Sequence, residues 1–136
     1  MARKEKIITV KAKKKRAIAR ATAVQGTGSV LINSKPLEIV TPDLVQMMIS
    51  EPLLLAPEYA AGFNIDVNVK GGGLMGQAVA ARGAIAKAIV KITKDDKIKK
   101  RYLEYDRTLL VDDSRRVEPK KPLGRGARST RQASKR

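Results

Sequence analysis

Between Phe63 and Lys70 every odd position is apolar and every even one polar, the period-2 signature of a strand with one packed face and one wet face. Lys6 to Val10 and Arg16 to Val24 are also strand-like, the second alternating small apolar side chains with Arg and Thr. Gln25-Gly26-Thr27-Gly28 supplies a turn and Ser29 to Asn33 a compact strand, so this part of the chain reads as a β-hairpin. A second turn follows at Asn33-Ser34-Lys35-Pro36. Thr41-Pro42-Asp43 then sets out a capping hydroxyl, a proline at the first helical position and an acid near the positive end of the helix dipole. A helix is expected from Pro42 to Ile49, burying Leu44, Val45 and Met48, with Pro52 breaking or restarting it. Gln77 to Ile92 forms an Ala-rich helix whose alanines and Gly83 would let it lie close against a sheet. A more polar helix begins at Asp95 or Asp96, with Ile98, Tyr102 and Tyr105 at helical spacing, and Leu109-Leu110-Val111 is a short final apolar element.

The strand at 63–70 runs into Gly71-Gly72-Gly73-Leu74-Met75-Gly76-Gln77, which fits G-x-G-x-x-G, with Asp95 and Asp96 about twenty residues on, as a dinucleotide fingerprint requires. Length rules that reading out. A second parallel strand at Ile89 to Thr93 would leave about ten residues for the crossover helix, too few for a βαβ unit. Gln77 stands where a P-loop needs Lys and then Ser or Thr. What remains is a strand, a glycine turn and a helix N-terminus, whose free N–H groups and dipole suit a phosphate; the glycines are equally compatible with a sharp turn or close packing alone. Val in place of Gly73 is expected to damage the turn.

Charge narrows the source of that phosphate. The chain has 136 residues, room for one domain, and 29 Lys plus Arg against 13 Asp plus Glu, a net +16. Residues 1–20 hold nine bases and one acid, residues 119–136 seven bases and no acid, and the residues between thirteen bases and twelve acids. Like charge gathered at both ends gains nothing for a fold, whereas Lys and Arg contacts to phosphates release counterions and give strong, sequence-independent affinity for a polyanion. A basic run such as Lys13-Lys14-Lys15-Arg16 would serve equally as a solvated tail or a localisation signal. The clustering and the composition together favour nucleic acid. With no Cys and no His, a disulfide framework, a thiolate metal site and a histidine base are excluded. No run of 18 apolar residues occurs and the N-terminus lacks the apolar segment of a secretory signal, so the expected location is the cytoplasm. A free-standing RNA or DNA chaperone shares this charge pattern, and an enzyme using Asp66, Asp95, Asp96 or Lys70 remains a weaker alternative, because scattered carboxylates more often cap helices or face solvent.

The residues from Ser114 to Arg136 carry no apolar periodicity and by themselves build no core, so alone in water they are expected to be disordered. The basic strand Lys15-Arg16-Ala17-Ile18-Ala19-Arg20-Ala21, the hairpin with Gly28 and Val30, Glu51-Pro52-Leu53, GGGLMGQAVAARGAIAKAI, Leu109-Leu110 with Asp113 and Arg115, VEPKK and the terminal Gln132-Ala133-Ser134-Lys135-Arg136 cover nearly the whole chain. Taken together this arrangement resembles the universal ninth-protein family of the small ribosomal subunit. The resemblance implies an α/β (α+β) fold, a single compact domain over residues 1–118 with a twisted four-stranded sheet packed by helices and a basic N-terminal strand, plus long basic N- and C-terminal extensions, the second an extended tail over 119–136. It implies a structural component of the subunit head, not an enzyme, with ribosomal RNA and neighbouring small-subunit proteins as partners and the peptidyl-site tRNA at the end of the tail. No cofactor, metal, membrane or small-molecule substrate is expected.

By that resemblance and by charge, Ser134, Lys135 and Arg136 are the expected tRNA contacts. The expected rRNA contacts are Lys13, Lys14, Lys15, Arg16, Arg20, Lys70, Gly71, Gly72, Gly73, Gln77, Arg82, Arg115, Arg116, Lys120, Lys121, Arg125, Arg128 and Arg131. Where bacterial members carry Thr-Arg-Asp, Val111-Asp112-Asp113 stands, so Asp112 is expected to repel phosphate; Pro119 and Pro122-Leu123 replace a basic and an aromatic position. With the KEKIITVKAKKK start, these departures resemble the archaeal or eukaryotic cytoplasmic branch.

Overall fold

The computed structural model describes residues 7–129. Five strands, β1 (Ile8–Lys14), β2 (Ala17–Gln25), β3 (Val30–Ile32), β4 (Lys35–Pro36) and β5 (Phe63–Lys70), form one mixed sheet in the order β1-β2-β5-β3-β4. The helices are α1 (Asp43–Leu55), α2 (Pro57–Ala60), α3 (Leu74–Thr93) and α4 (Asp96–Tyr105), with short 3-10 turns at Leu37–Ile39 and Arg107–Leu109. This is the expected α+β body with one more strand than anticipated. The addition is the two-residue β4, whose Pro36 has no N–H to offer a further strand and sits at the sheet edge, where proline is tolerated.

The hairpin expected around Gln25–Gly28 does not form. β5 lies between β2 and β3, antiparallel to the first and parallel to the second. The reason is Asn64, whose Oδ1 accepts from the backbone N–H of Thr27 at 2.9 Å and of Gly28 and Ser29 at 3.1 Å each. Gly26 N–H donates to Gly62 O at 3.0 Å. The turn therefore wraps the start of β5 and delivers β3 to its far side. The hairpin that does form joins β1 to β2 through Lys15 and Arg16, with Lys15 at φ 53°. Much of the N-terminal basic run is thus an edge strand of the sheet rather than an extension.

The inner face of the sheet is built small. Ala17, Ala19, Ala21 and Ala23 of β2 are fully buried, and the alternate residues Ile65, Val67 and Val69 of β5 join them. α3 lies across this face with Ala81, Ala84, Ala88 and Gly83 buried. A Cβ on Gly83 would sit 3.4 Å from Ala12 Cβ, so the expected close approach of helix to sheet is real.

α1 packs against α3 and runs through Pro52 to Leu55, further than the expected stop at Ile49. Its last-turn carbonyls, which have no partner within the helix, are met by α4: Tyr102 Oη donates to Pro52 O at 2.7 Å and Arg101 Nη1 to Leu55 O at 2.8 Å. Pro42, not Thr41, takes the N-cap position, and no side chain caps it. Val45 and Ile49 are buried, but Leu44 faces outward. Of the two tyrosines on α4, Tyr102 is buried and Tyr105 exposed. Burial pushes the Tyr102 hydroxyl's pKa well above its ordinary value. Asp95 caps α4 by accepting from Lys97 N–H at 2.9 Å and from Tyr59 Oη at 2.8 Å; these bonds hold its carboxyl below the usual range and raise Tyr59.

Candidate nucleic-acid interface

Because α3 covers one face of the sheet, the alternate residues of β1, β2 and β5 form an open face. Two adjacent rows cross it, Lys13-Ile18-Lys70 and Lys11-Arg20-Asn68. Lys11 and Arg20 are direct cross-strand neighbours, and Lys13 and Lys70 flank Ile18 at about 10 Å, two strand spacings. Among the described residues none of these four cations is paired with a carboxylate. The Lys13 ammonium, with Arg20 also contributing, holds Lys11 below its ordinary pKa. Ile18, Arg20, Asn68 and Lys70 line a shallow depression on this face. Lys11 was missed in the sequence; the alternation Thr9-Lys11-Lys13 along β1 is the signal that finds it.

The end of the same face meets the glycine loop. Gly71 and Gly72 have φ 78° and 67°, and a Cβ on Gly71 would lie 2.6 Å from Arg16 O. A Cβ on Gly72 would lie 3.0 Å from Ala17 N. These two glycines let the loop sit against the Lys15-Arg16 turn, bringing its exposed cations to the N-terminus of α3. Gly73 is different. Its φ is −100° and a Cβ there would meet nothing within 4 Å, so the expected damage from Val at this position has no steric basis. The first turn of α3 has neither a side-chain cap nor an acid, and Gln77 Nε2 donates to Gly71 O at 3.0 Å, tying the helix back to the loop. The strand-loop-helix expected from the sequence is present, and α3 continues unbroken through Ile89 to Thr93, where a dinucleotide fold would need a strand.

Other predicted contacts are engaged within the protein. Arg82 is buried, with Nη2 3.0 Å from Asp106 Oδ2 and Nε 2.5 Å from Glu51 Oε2, a close ionic contact without hydrogen-bond alignment. It joins α3, α1 and the turn after α4. Burial raises the Asp106 carboxyl, but bonds from the Thr108 N–H and hydroxyl and from Arg82 outweigh it, so its pKa is lowered overall. Lys14, on the helix side of β1, pairs with Asp113, which Arg115 also grips through Nε and Nη2. Arg115 and then Lys14 drive the Asp113 pKa far below the ordinary carboxylate range. A parallel bridge between Lys14 and Asp113 lays this segment along the free edge of β1. Asp112 pairs with Lys87 at 2.6 Å, so the charge expected to repel phosphate has its counterion in the chain itself.

Beyond Asp113 the described residues form no helix or extended strand. Arg116, Lys120, Lys121 and Arg125 are exposed, and Arg128 pairs with Glu118 at 2.8 Å. Arg131, Ser134, Lys135 and Arg136 lie outside the described residues. The carboxylates considered for catalysis are not brought together: Asp66 is on the open face, whereas Asp95 is the cap of α4 and Asp96 its first residue. Among the described residues there is no cluster of metal ligands and no helix long and apolar enough to cross a membrane.

Comparison with known proteins places this α+β body among ribosomal proteins, since the family model described as Ribosomal protein S9/S16 matches residues 12–136. Small ribosomal subunit protein uS9 of Methanococcus vannielii is 47% identical over 131 residues, covering 95% of this chain and 98% of the relative. The protein of the same name from Methanococcus maripaludis strain C7 is 46% identical over the same shares. The chain belongs to the ribosomal protein S9/S16 family, a structural component of the small ribosomal subunit with relatives of archaeal type.

Proposed function

We propose that the protein binds small-subunit ribosomal RNA through the open sheet face and the adjoining α3 terminus, and reaches the peptidyl-site tRNA with the end of its C-terminal tail. The observation that carries the first part is the set Lys11, Lys13, Arg20 and Lys70, four cations on two neighbouring rows with no carboxylate in either row. Their mutual repulsion is relieved by a polyanion whose phosphates lie over the face. Lys15, Arg16 and the uncapped N-terminus of α3 extend this surface, and the Arg side chains add forked contacts to phosphate oxygens. Folded RNA, recognised largely by shape and backbone, suits such a surface.

The tail reading rests on family membership, charge and reach. Residues 119–136 hold seven cations and no acid, and eighteen extended residues span roughly 60 Å. Ser134, Lys135 and Arg136 are its contacts to tRNA. The role is one of support and electrostatics, carried out in the cytoplasm without a catalytic step. Deleting Lys135 and Arg136 is expected to leave domain melting unchanged while weakening tRNA binding to isolated small subunits and reducing the salt slope of that binding. Equal affinity and equal slope would remove the tail from the reading.

A further inference from the structure

Between Lys35 and Lys70 the sequence contains no Lys or Arg, yet it holds five carboxylates: Glu38, Asp43, Glu51, Glu58 and Asp66. In a chain with 29 cations this gap marks a region ill suited to phosphate. α1 occupies its centre and is apolar on two sides. Val45, Ile49 and Pro52 are buried. Leu44, Met47 and Leu54 are 60%, 67% and 76% exposed, and at helical spacing they fall within an arc of about 80° on the opposite side. A surface helix of a small protein normally turns charge or amide toward water at such positions. The cations that reach α1 through described contacts are engaged there, Arg82 by Glu51 and Arg101 by the Leu55 carbonyl. Asp43 at the start of the stripe and Glu58 on α2 beyond its end are exposed.

We propose that this stripe is a protein-docking surface within the small subunit, taken by a basic segment of a neighbouring ribosomal protein. That segment lays apolar side chains on Leu44, Met47 and Leu54 and sets Lys or Arg against Asp43 and Glu58. The apolar positions supply burial, and the flanking acids select a cationic polypeptide while repelling RNA. The inference rests on membership of the small subunit and not on which residues of this chain touch RNA.

The test places a photo-crosslinking phenylalanine derivative at position 47, and in a parallel variant at position 18 on the open sheet face, with each full-length protein assembled into small subunits. Position 47 is expected to label one ribosomal protein at a segment containing Lys or Arg among apolar residues, and position 18 to label RNA. Labelling of RNA at position 47, labelling of a second copy of this chain, or no product at position 47 would each overturn the proposal. Failure of position 18 to label RNA would instead count against the open-face reading alone. Leu54→Glu, at an exposed site, is expected to reduce the position-47 product at least fivefold with melting of the free protein unchanged; an undiminished yield overturns the proposal as well.

Discussion

The open sheet face and the outer side of α1 are both exposed and both arise from regular elements, yet they present opposite chemistries. On the sheet, alternation sends Ala17, Ala19 and Ala21 inward and Ile18 and Arg20 outward, with Lys70 and Lys11 aligned beside them by register. On α1, outward positions carry Leu44, Met47 and Leu54 with no cation in the surrounding sequence. The net charge of +16 is therefore an average over sides of opposite chemistry. The most direct way to break this comparison is to remove the sheet cations. The triple variant Lys11→Ala, Arg20→Ala, Lys70→Ala is expected to weaken association with small-subunit RNA by about two orders of magnitude near 0.1 M salt and to lower the salt slope by about 2 to 3. The double variant Met47→Ser, Leu54→Ser should alter neither. Equal effects in both would erase the distinction.

Arg82 separates charge that faces a partner from charge that builds the fold. Its guanidinium lies among Glu51 of α1 and Asp106 after α4, so Arg82→Ala leaves two half-buried carboxylates without their counterion. A loss of about 3 kcal/mol is expected, read as a fall in melting temperature on the order of 10 °C. At a temperature where the variant is folded, its RNA affinity and salt slope should match those of the parent. A reduced slope would return Arg82 to the RNA surface.

What could be read from the sequence tracks the range over which each signal acts. The alternation of Phe63–Lys70 gives β5 to the residue, and the Asp95 cap followed by Asp96 in the first turn places α4, because both signals are local. The partner of β2 is not local. Two glycines after Gln25 resemble a hairpin turn, and only the side chain of Asn64, far along the chain, diverts them into a wrap around β5. The end of α1 escaped for the same reason, since Tyr102 and Arg101 come from α4 to meet its carbonyls. At the interface the basic residue types and the glycine loop were legible, but not their direction. Arg82 is turned inward by two distant carboxylates, Lys14 is engaged by Asp113, and Lys11 joins the face through register.

Within the basic side the three consecutive glycines offer a finer comparison. Gly71→Ala brings a Cβ against the Arg16 carbonyl at a backbone angle that L residues rarely adopt, and a destabilisation of about 2 kcal/mol is expected. Gly73→Ala meets open space at an ordinary φ and should change stability by less than about 0.5 kcal/mol. Thermal melting of the two variants side by side decides the matter. Equal losses would mean that the loop is held by something other than its contact with the β1-β2 turn.

The smallest effect concerns the segment that ties the tail's root to the edge of β1. Asp113 is held by Arg115 and Lys14, so its pKa in the folded protein lies below the value near 4 of an unfolded chain. A carboxyl lowered in this way stabilises the fold at pH values above about 4, and the contribution is lost as the pH falls through that window and the unfolded state takes up the proton first. Asp106, also lowered, acts in the same direction. The melting temperature is therefore expected to be level between about pH 7 and 5 and to decline below about 4. Asp113→Asn should begin from a slightly lower plateau and decline less steeply, because the proton that the parent must accept has no site there. A parallel decline in the two proteins would show that the Lys14-Asp113-Arg115 contact contributes nothing to holding the segment, leaving the root of the tail positioned by its backbone bridge to Lys14 alone.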